Sequence, residues 1–460
     1  MRMFSTFLLI AGCRPGQIAG FDKGAEGGLD SGGGLDTGLD SGPDSGEGAG
    51  ADSGGETGRD TAPVVTEEQL DGLSWSEGVC QVALTCDGAI SDEPKVRCDM
   101  TVRSASGATA YDGAAGVELR GRSSMSFPKN QYAVELWDSA GEDVEVDLLG
   151  MGAESDWVLN GVWVDRSLFR NKLAYDLFQQ MSDTLPDQVD YAAESRFCEL
   201  TLNRAYWGVY LLTERPKRDG ARIDLSDSGE VDGSSFVLKL EESGGAFANP
   251  LGYGTWRALY PQQDEASDAA LAGVSATLTD WYGAARGRSD APELFSVIDL
   301  DSAVDFVLIE ELTKNVDAYF LSIHLWKDED SLVHFTPWDI DLSCGQPSYS
   351  DNENPESWVS YRPSFIDSLS SDPAFNARMA ERWAELRAGP LDGEALHALI
   401  DQHQATLEEA AERNFERWPI EDVDFSGYLY RVRSWDQEVD NMHAWIEARL
   451  PWMDENVGSW

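Results

Sequence analysis

Two aspartates separated by one residue, Asp339 and Asp341, carry the densest candidate chemistry in the chain. They sit in Val333-His334-Phe335-Thr336-Pro337-Trp338-Asp339-Ile340-Asp341-Leu342-Ser343-Cys344-Gly345, an apolar run that enters a Pro-Trp corner and leaves through a glycine. In an extended strand, residues two apart point to the same side. The spacing therefore predicts both carboxylates in one small volume, where they repel unless a cation sits between them. Mg²⁺ suits that place, because it takes one or two carboxylates together with phosphate oxygens and water. The plain alternative is a strand end followed by a polar turn, with both aspartates in water.

The elements upstream must position these groups. Periodicity predicts a helix over about 301–315, a strand over 321–327 that includes Ser322, a turn at 328–331 and a strand over 332–336. Asp317 falls just past the helix end, where a carboxylate does not help the helix dipole. The order helix, Asp317, strand, turn, strand, aspartates resembles the catalytic segment of a protein kinase. Earlier in the chain, a strand enters the turn Arg120-Gly121-Arg122-Ser123-Ser124, and a second strand carries Lys129 near its start. Small residues let backbone N–H groups approach a ligand, and Arg and Lys supply charge for phosphate. A solvated basic hairpin reads equally well from these residues alone. Strands over 196–202 and 207–213 are joined by an Asn-Arg-Ala-Tyr turn and followed by Glu214, and a strand over 235–240 carries Lys239.

The chain has 460 residues, enough for two or three domains, and a net charge of −49 from 83 acidic and 34 basic side chains. Such a surface repels nucleic acid and anionic lipid, so a nucleic-acid partner is not expected. A nucleotide site on this chain has to bring its own basic residues or metal. Residues 1–12 read as a signal peptide, with Arg2 ahead of an apolar run far too short to span a membrane. The run ends in Ile10-Ala11-Gly12-Cys13, which resembles a bacterial lipobox and makes Cys13 the candidate lipidation site. A simple secretory signal with an incidental cysteine is the alternative. Residues 13–66 form a Gly/Asp/Ser tether that cannot bury enough apolar area to offset its ordering entropy. Export and a lipid anchor at the cell envelope, on the outer membrane or cell surface, follow as the expected location. Five further cysteines in an oxidising compartment predict one or two disulfides, and Cys80, Cys86 and Cys98 are close enough to pair locally.

The remaining organisation is a β-rich segment over 67–115, a core over 116–345 and a helical region over 346–460, to which a packing role is assigned. The run Leu119-Arg120-Gly121-Arg122-Ser123-Ser124, the strand Lys129-x-x-Tyr132-x-x-x-Leu136, Arg170 to Leu177, Leu200-x-x-Asn203 with Gly208-Val209-Tyr210-x-x-Thr213-Glu214, Asn315-x-Asp317 and Pro337-Trp338-Asp339-x-Asp341 occur in an order similar to the spore-coat CotH kinase family. The resemblance implies an α+β, divergent protein-kinase-like fold with a β-rich N-terminal part and a helical C-terminal region. It also implies an atypical Ser/Thr kinase that uses ATP and Mg²⁺ on Ser-rich secreted or coat proteins. Carried over by position, Asp317 would be catalytic and Asp339 or Asp341 would hold Mg²⁺. Lys129, Arg120, Arg122, Ser123 and Lys239 would line the phosphates. Kinase logic would make Glu214 the ion-pair partner of Lys129. The family usually has asparagine where Arg122 stands, and asparagine five residues beyond the catalytic aspartate, where this chain has Ser322. A hydroxyl is a weaker, neutral metal ligand. A catalytically silent kinase-like scaffold is therefore the competing reading. A carboxylate-pair hydrolase is a third, but it leaves the basic Gly-Ser turn unexplained.

Overall fold

The computed structural model describes residues 78–460 except 187–189, 227–230, 347–349, 361 and 421–431. The signal peptide, Cys13 and the tether lie outside the described residues.

Alternation builds the first layer. In β1 (Cys80–Cys86), Cys80, Val82 and Leu84 point inward. β2 (Val96–Arg103), β3 (Thr109–Arg120) and β4 (Gln131–Trp137) follow as antiparallel neighbours. A small ribbon of β5 (Val146–Asp147) and β6 (Ala153–Glu154) precedes β7 (Asp156–Asn160). After helix α1 (Arg170–Ser182) come β8 (Ser195–Leu202) and β9 (Ala205–Glu214). The strands close into a barrel in the order β1-β2-β3-β4-β7-β9-β8, sealed by a parallel β8–β1 pair. Val82, Leu84, Met100, Val117, Leu136, Trp157, Leu159, Leu200 and Leu212 belong to its core. β3 runs across residue 115, so the β-rich segment and the start of the core are one barrel.

Two disulfides fasten β1 on both sides. Cys86–Cys98 is the local bridge the spacing allowed. Cys80 pairs instead with Cys198, 118 residues away, because barrel closure sets the two opposite each other in register. Each restricts the unfolded chain by roughly 3 to 5 kcal/mol in the loop-entropy description. Cys344 is a buried free thiol.

The second layer is an antiparallel sheet of β10 (Phe236–Glu241), β11 (Phe247–Ala248), β12 (Thr255–Tyr260), β13 (His324–Lys327) and β14 (His334–Thr336), in the order β11-β12-β10-β13-β14. Helices α2 (Asp268–Ala285) and α3 (Leu300–Thr313) lie between β12 and β13 in sequence. They pack through aromatic rings. Trp281 meets Trp256 at 6.2 Å and Phe335 at 6.1 Å, and Phe306 stacks on Phe335 at 5.2 Å. Asp299 caps α3 by accepting from the Ser302 amide, and Lys314 ends the helix in a left-handed turn at φ 49°.

The C-terminal region is helical: α4 (Ser364–Ser370), α5 (Pro373–Arg387), α6 (Gly393–Arg417) and α7 (Trp435–Asn456). Asp372 and Asp392 cap α5 and α6, each worth ~1 kcal/mol. Its packing role includes buried charge, since Arg382 clamps Asp305 of α3 at 2.8 and 2.9 Å. Among the described residues no helix is long and apolar enough to cross a membrane. The mixed α and β content, β-rich first and helical last, agrees with the expected class. The closed barrel is a feature that the expectation of a kinase-like fold did not contain.

Candidate active site

β14 ends at Thr336, so Asp339 and Asp341 stand in irregular chain beyond it, with Asp339 left-handed at φ 66°. Strand alternation therefore does not align them, contrary to the reading from spacing. Instead, the segment is held from two sides. Helix α1 offers three contacts: the Asp339 amide donates to the Tyr175 hydroxyl at 3.2 Å, the Ile340 amide to Asn171 Oδ1 at 2.6 Å, and Arg170 Nε to the Ser343 carbonyl at 2.9 Å. The far end of α3 supplies two more, Cys344 N to Thr313 O at 2.7 Å and Val316 N to Leu342 O at 3.1 Å. These bonds set Asp317 and the aspartate pair in one neighbourhood. Trp338 is the hub: Tyr175 stacks on it at 5.8 Å, His324 meets it edge-on at 5.8 Å, and the Arg120 guanidinium lies 5.8 Å from its ring.

The carboxylates feel one another. Burial, then the charges of Asp339, Asp165 and Asp317, hold the Asp341 carboxyl well above the usual range, with Arg170 opposing. Asp339 is half-buried, and its Oδ2 accepts a long bond from Ser322 Oγ at 3.5 Å. Asp317, also half-buried, has its amide fixed by Asn315 Oδ1 at 3.2 Å, and Asn315 Nδ2 donates to Glu310 Oε2 at 2.9 Å. Burial pushes Glu310 up to about 8. Tyr319, Ser322, Asp339 and Cys344 all have positive φ, between 45° and 66°. Such conformations cost on the order of 1 kcal/mol or more for non-glycine residues and gather at functional sites. Two carboxylates and a hydroxyl are hard oxygen donors, and a cation between them would reverse the repulsion felt at Asp341. Among the described residues no group of three or more His, Cys, Asp or Glu side chains is placed to hold a metal, so a cation here relies on ligand oxygens and water as well.

One basic group, Arg120, feels Asp339 directly, and others lie nearby around His324. Burial lowers the basicity of Arg120, against the pull of Asp339, and its Nη1 donates to Gln131 Oε1 at 3.1 Å. Lys239 of β10 sits in register with His324 of β13 and pairs with Glu241 at 3.1 Å. Burial, then Lys239, Arg215 and Arg120, hold the His324 imidazole well below its ordinary value, so it is neutral. The turn is shaped by Gly121 at φ 94°, where an added Cβ would fall 1.9 Å from Ser124 Oγ. Ser123 is exposed, and Arg122, 65% exposed at its side chain, pairs with Glu242 after β10.

Two expected roles do not hold. Lys129 is 1% exposed, and its Nζ donates to the Val209 carbonyl at 2.5 Å and to Asn414 Oδ1 at 2.8 Å. It is a tie between the barrel and α6, with its ammonium turned into protein. Glu214 does not pair with it. Its carboxylate accepts from the Tyr191 hydroxyl at 2.9 Å and the Glu194 amide at 2.8 Å, with Arg222 Nε at 3.8 Å. Burial raises Glu214 to about 7. Arg170, at the head of α1, is given no separate role by the sequence. It is 2% exposed and bonds Asp165 at 2.7 Å and Glu438 of α7 at 2.7 Å. Nothing local in the sequence predicts a partner 268 residues away. Arg215 and His324 were missed too, although alternation within β10 and β13 offered a signal for His324.

A family model described as CotH kinase protein matches residues 117–453, and comparison with curated proteins finds no match. Membership suggests a kinase-like function, and it implies ATP and a divalent metal. The matched region takes in most of the chain, from β3 to α7, and the chain belongs to the CotH kinase family.

Proposed function

We propose that the chain is an atypical kinase that transfers the γ-phosphoryl of ATP to serine hydroxyls of secreted or coat proteins. One observation carries this reading. The charges of Asp317 and Asp339 reach Asp341 beside the Trp338 corner, and Arg120, from far earlier in the sequence, is drawn to Asp339 there. Phosphoryl transfer needs positioning and charge neutralisation more than covalent chemistry. Asp339 and Asp341, with Ser322 beside them, would hold Mg²⁺, which supplies charge neutralisation at the phosphates when bound. Asp317 orients the acceptor hydroxyl and takes its proton late in transfer. Arg120 and Lys239 bind phosphate oxygens in place of Lys129, and the Arg122–Glu242 pair ties the turn to the end of β10. The two disulfides fit an oxidising compartment, in keeping with export and a lipid anchor through Cys13.

The test is incubation of the purified protein with radiolabelled Mg-ATP and a panel of Ser-rich secreted proteins. Label on serine that requires Mg²⁺ and Asp317 supports the reading, and absence of both transfer and Mg-ATP binding overturns it. The inward-turned Lys129 and the serine at position 322 favour a second reading, a silent kinase-like scaffold of the cell surface or spore coat. Thermal stabilisation by Mg-ATP without transfer to any acceptor marks that case.

A further inference from the structure

His397 on α6 and His443 on α7 face each other where the two helices pack, with their Nδ1 atoms 2.6 Å apart and their ring centroids 4.9 Å apart at 26°. Asp401, one turn along α6 from His397 and on the same face, places Oδ1 3.1 Å from His443 Nε2. A carboxylate at Nε2 fixes the proton there and leaves His443 Nδ1 as a lone pair. Only one proton fits between the two facing Nδ1 atoms. Both rings are half-buried and reachable from solution.

We propose that this pair is a binding site for a borderline divalent cation of the Zn²⁺, Ni²⁺ or Cu²⁺ class, which fastens α6 to α7. The ion takes the lone pairs of both Nδ1 atoms. The proton of His397 moves from Nδ1 to Nε2, so neutral imidazoles bind without loss of a proton. Imidazole selects these ions over Mg²⁺ and Ca²⁺, which prefer oxygen. The rings meet head to head, so an ion on the line between the nitrogens needs about 4.0 Å from two Zn–N bonds of about 2.0 Å, and a tetrahedral angle needs about 3.3 Å with a turn of each ring; binding therefore parts the nitrogens by roughly 0.7 to 1.4 Å. Water completes the shell, since Asp401 lies at the far nitrogen of His443 and among the described residues no group of three or more His, Cys, Asp or Glu is placed to hold a metal. The net charge of −49 raises the local concentration of any cation. The position is also consequential. Helix α6 carries Asn414, which holds Lys129, and α7 carries Glu438, which holds Arg170. The site uses none of the candidate active-site residues, so it stands independently of the kinase reading.

The test is calorimetric titration of the full chain, free of any polyhistidine tag, with Zn²⁺ and Ni²⁺, followed by thermal unfolding. One equivalent of Zn²⁺ should bind, and a hundredfold excess over Kd should raise Tm by about 3 °C. His397→Ala and His443→Ala should each remove that equivalent. Asp401→Asn, an exposed change that leaves the fold intact, should weaken binding by about tenfold at unchanged stoichiometry. X-ray absorption of the zinc-loaded protein should show two imidazole nitrogens at about 2.0 Å. Absence of binding, binding that survives both histidine variants, or an all-oxygen shell each overturns the proposal and leaves the pair as an interhelical hydrogen bond.

Discussion

Lys129 and Asp341 are both ionisable groups drawn out of water by motifs of the same family, yet their surroundings differ in kind. Lys129 sits on the barrel side with two protein acceptors, and burial lowers its basicity well below the ordinary value. Asp341 sits beyond the sheet, no donor to its carboxylate is found among the described residues, and its nearest charged company is mostly of its own sign. A buried charge whose partners are all supplied by the fold is architecture. A buried carboxyl left among like charges must take up either a proton or a cation, and that demand is a better guide to chemistry than the residue type.

The sharpest way to break this contrast is at the acids. Asp317→Ala should lower transfer by about 10³-fold while Mg-ATP still raises Tm, and Asp339→Ala should lose the metal-dependent part of nucleotide binding. Equal loss of binding in both variants contradicts the separate roles. Next comes the support beneath the corner. Arg170→Ala removes the guanidinium that Asp165 and Glu438 share in the interior and should cost about 3 to 5 kcal/mol in urea unfolding. Lys129→Met tests the other side of the comparison. It should cost about 1 to 3 kcal/mol of stability through the acceptors it abandons, and leave the Kd for Mg-ATP unchanged. A rise in that Kd of tenfold or more would return Lys129 to the phosphates.

The smallest expected effect is a pH dependence. Glu310 has a folded pKa of about 8, above its ordinary 4.5. Its contribution to stability is fully present below the unfolded value and fades as pH rises through the folded one. Glu310→Gln, which keeps an acceptor for Asn315, should match the parent at pH 4 to 5. At pH 8 and above it should be more stable, by on the order of 1 kcal/mol or more, as read by thermal unfolding across that range.

Much of the fold was legible because its elements are amphipathic at short range. The strand over 196–202 appears as Ser195–Leu202, and the helix over about 301–315 as Leu300–Thr313. Barrel closure was not legible, since it depends on β1 meeting β8 across more than a hundred residues, and the Cys80–Cys198 bridge went unseen with it. Asp317, Asp339, Asp341 and Arg120 could be named as candidates in advance from motif order, and Lys239 only as a charge on a short strand. The orientation of Lys129 could not, because it is decided by Asn414 on a helix near the other end of the chain. The same holds for Arg170 and its distant Glu438. Short-range pattern identifies elements and chemistry-bearing residues, and long-range packing decides which of them turn towards a ligand.

The sealed ring of seven strands also bears on how an acceptor protein can dock. A strand edge invites an incoming extended peptide to add itself through main-chain bonds, and a barrel has none to offer. In the five-stranded sheet, the outermost strands are two and three residues long, too short to template an added strand. Under the proposed function, selection of an acceptor serine would then fall to side chains around the Trp338 corner, and single surface substitutions would change specificity without disturbing any ladder.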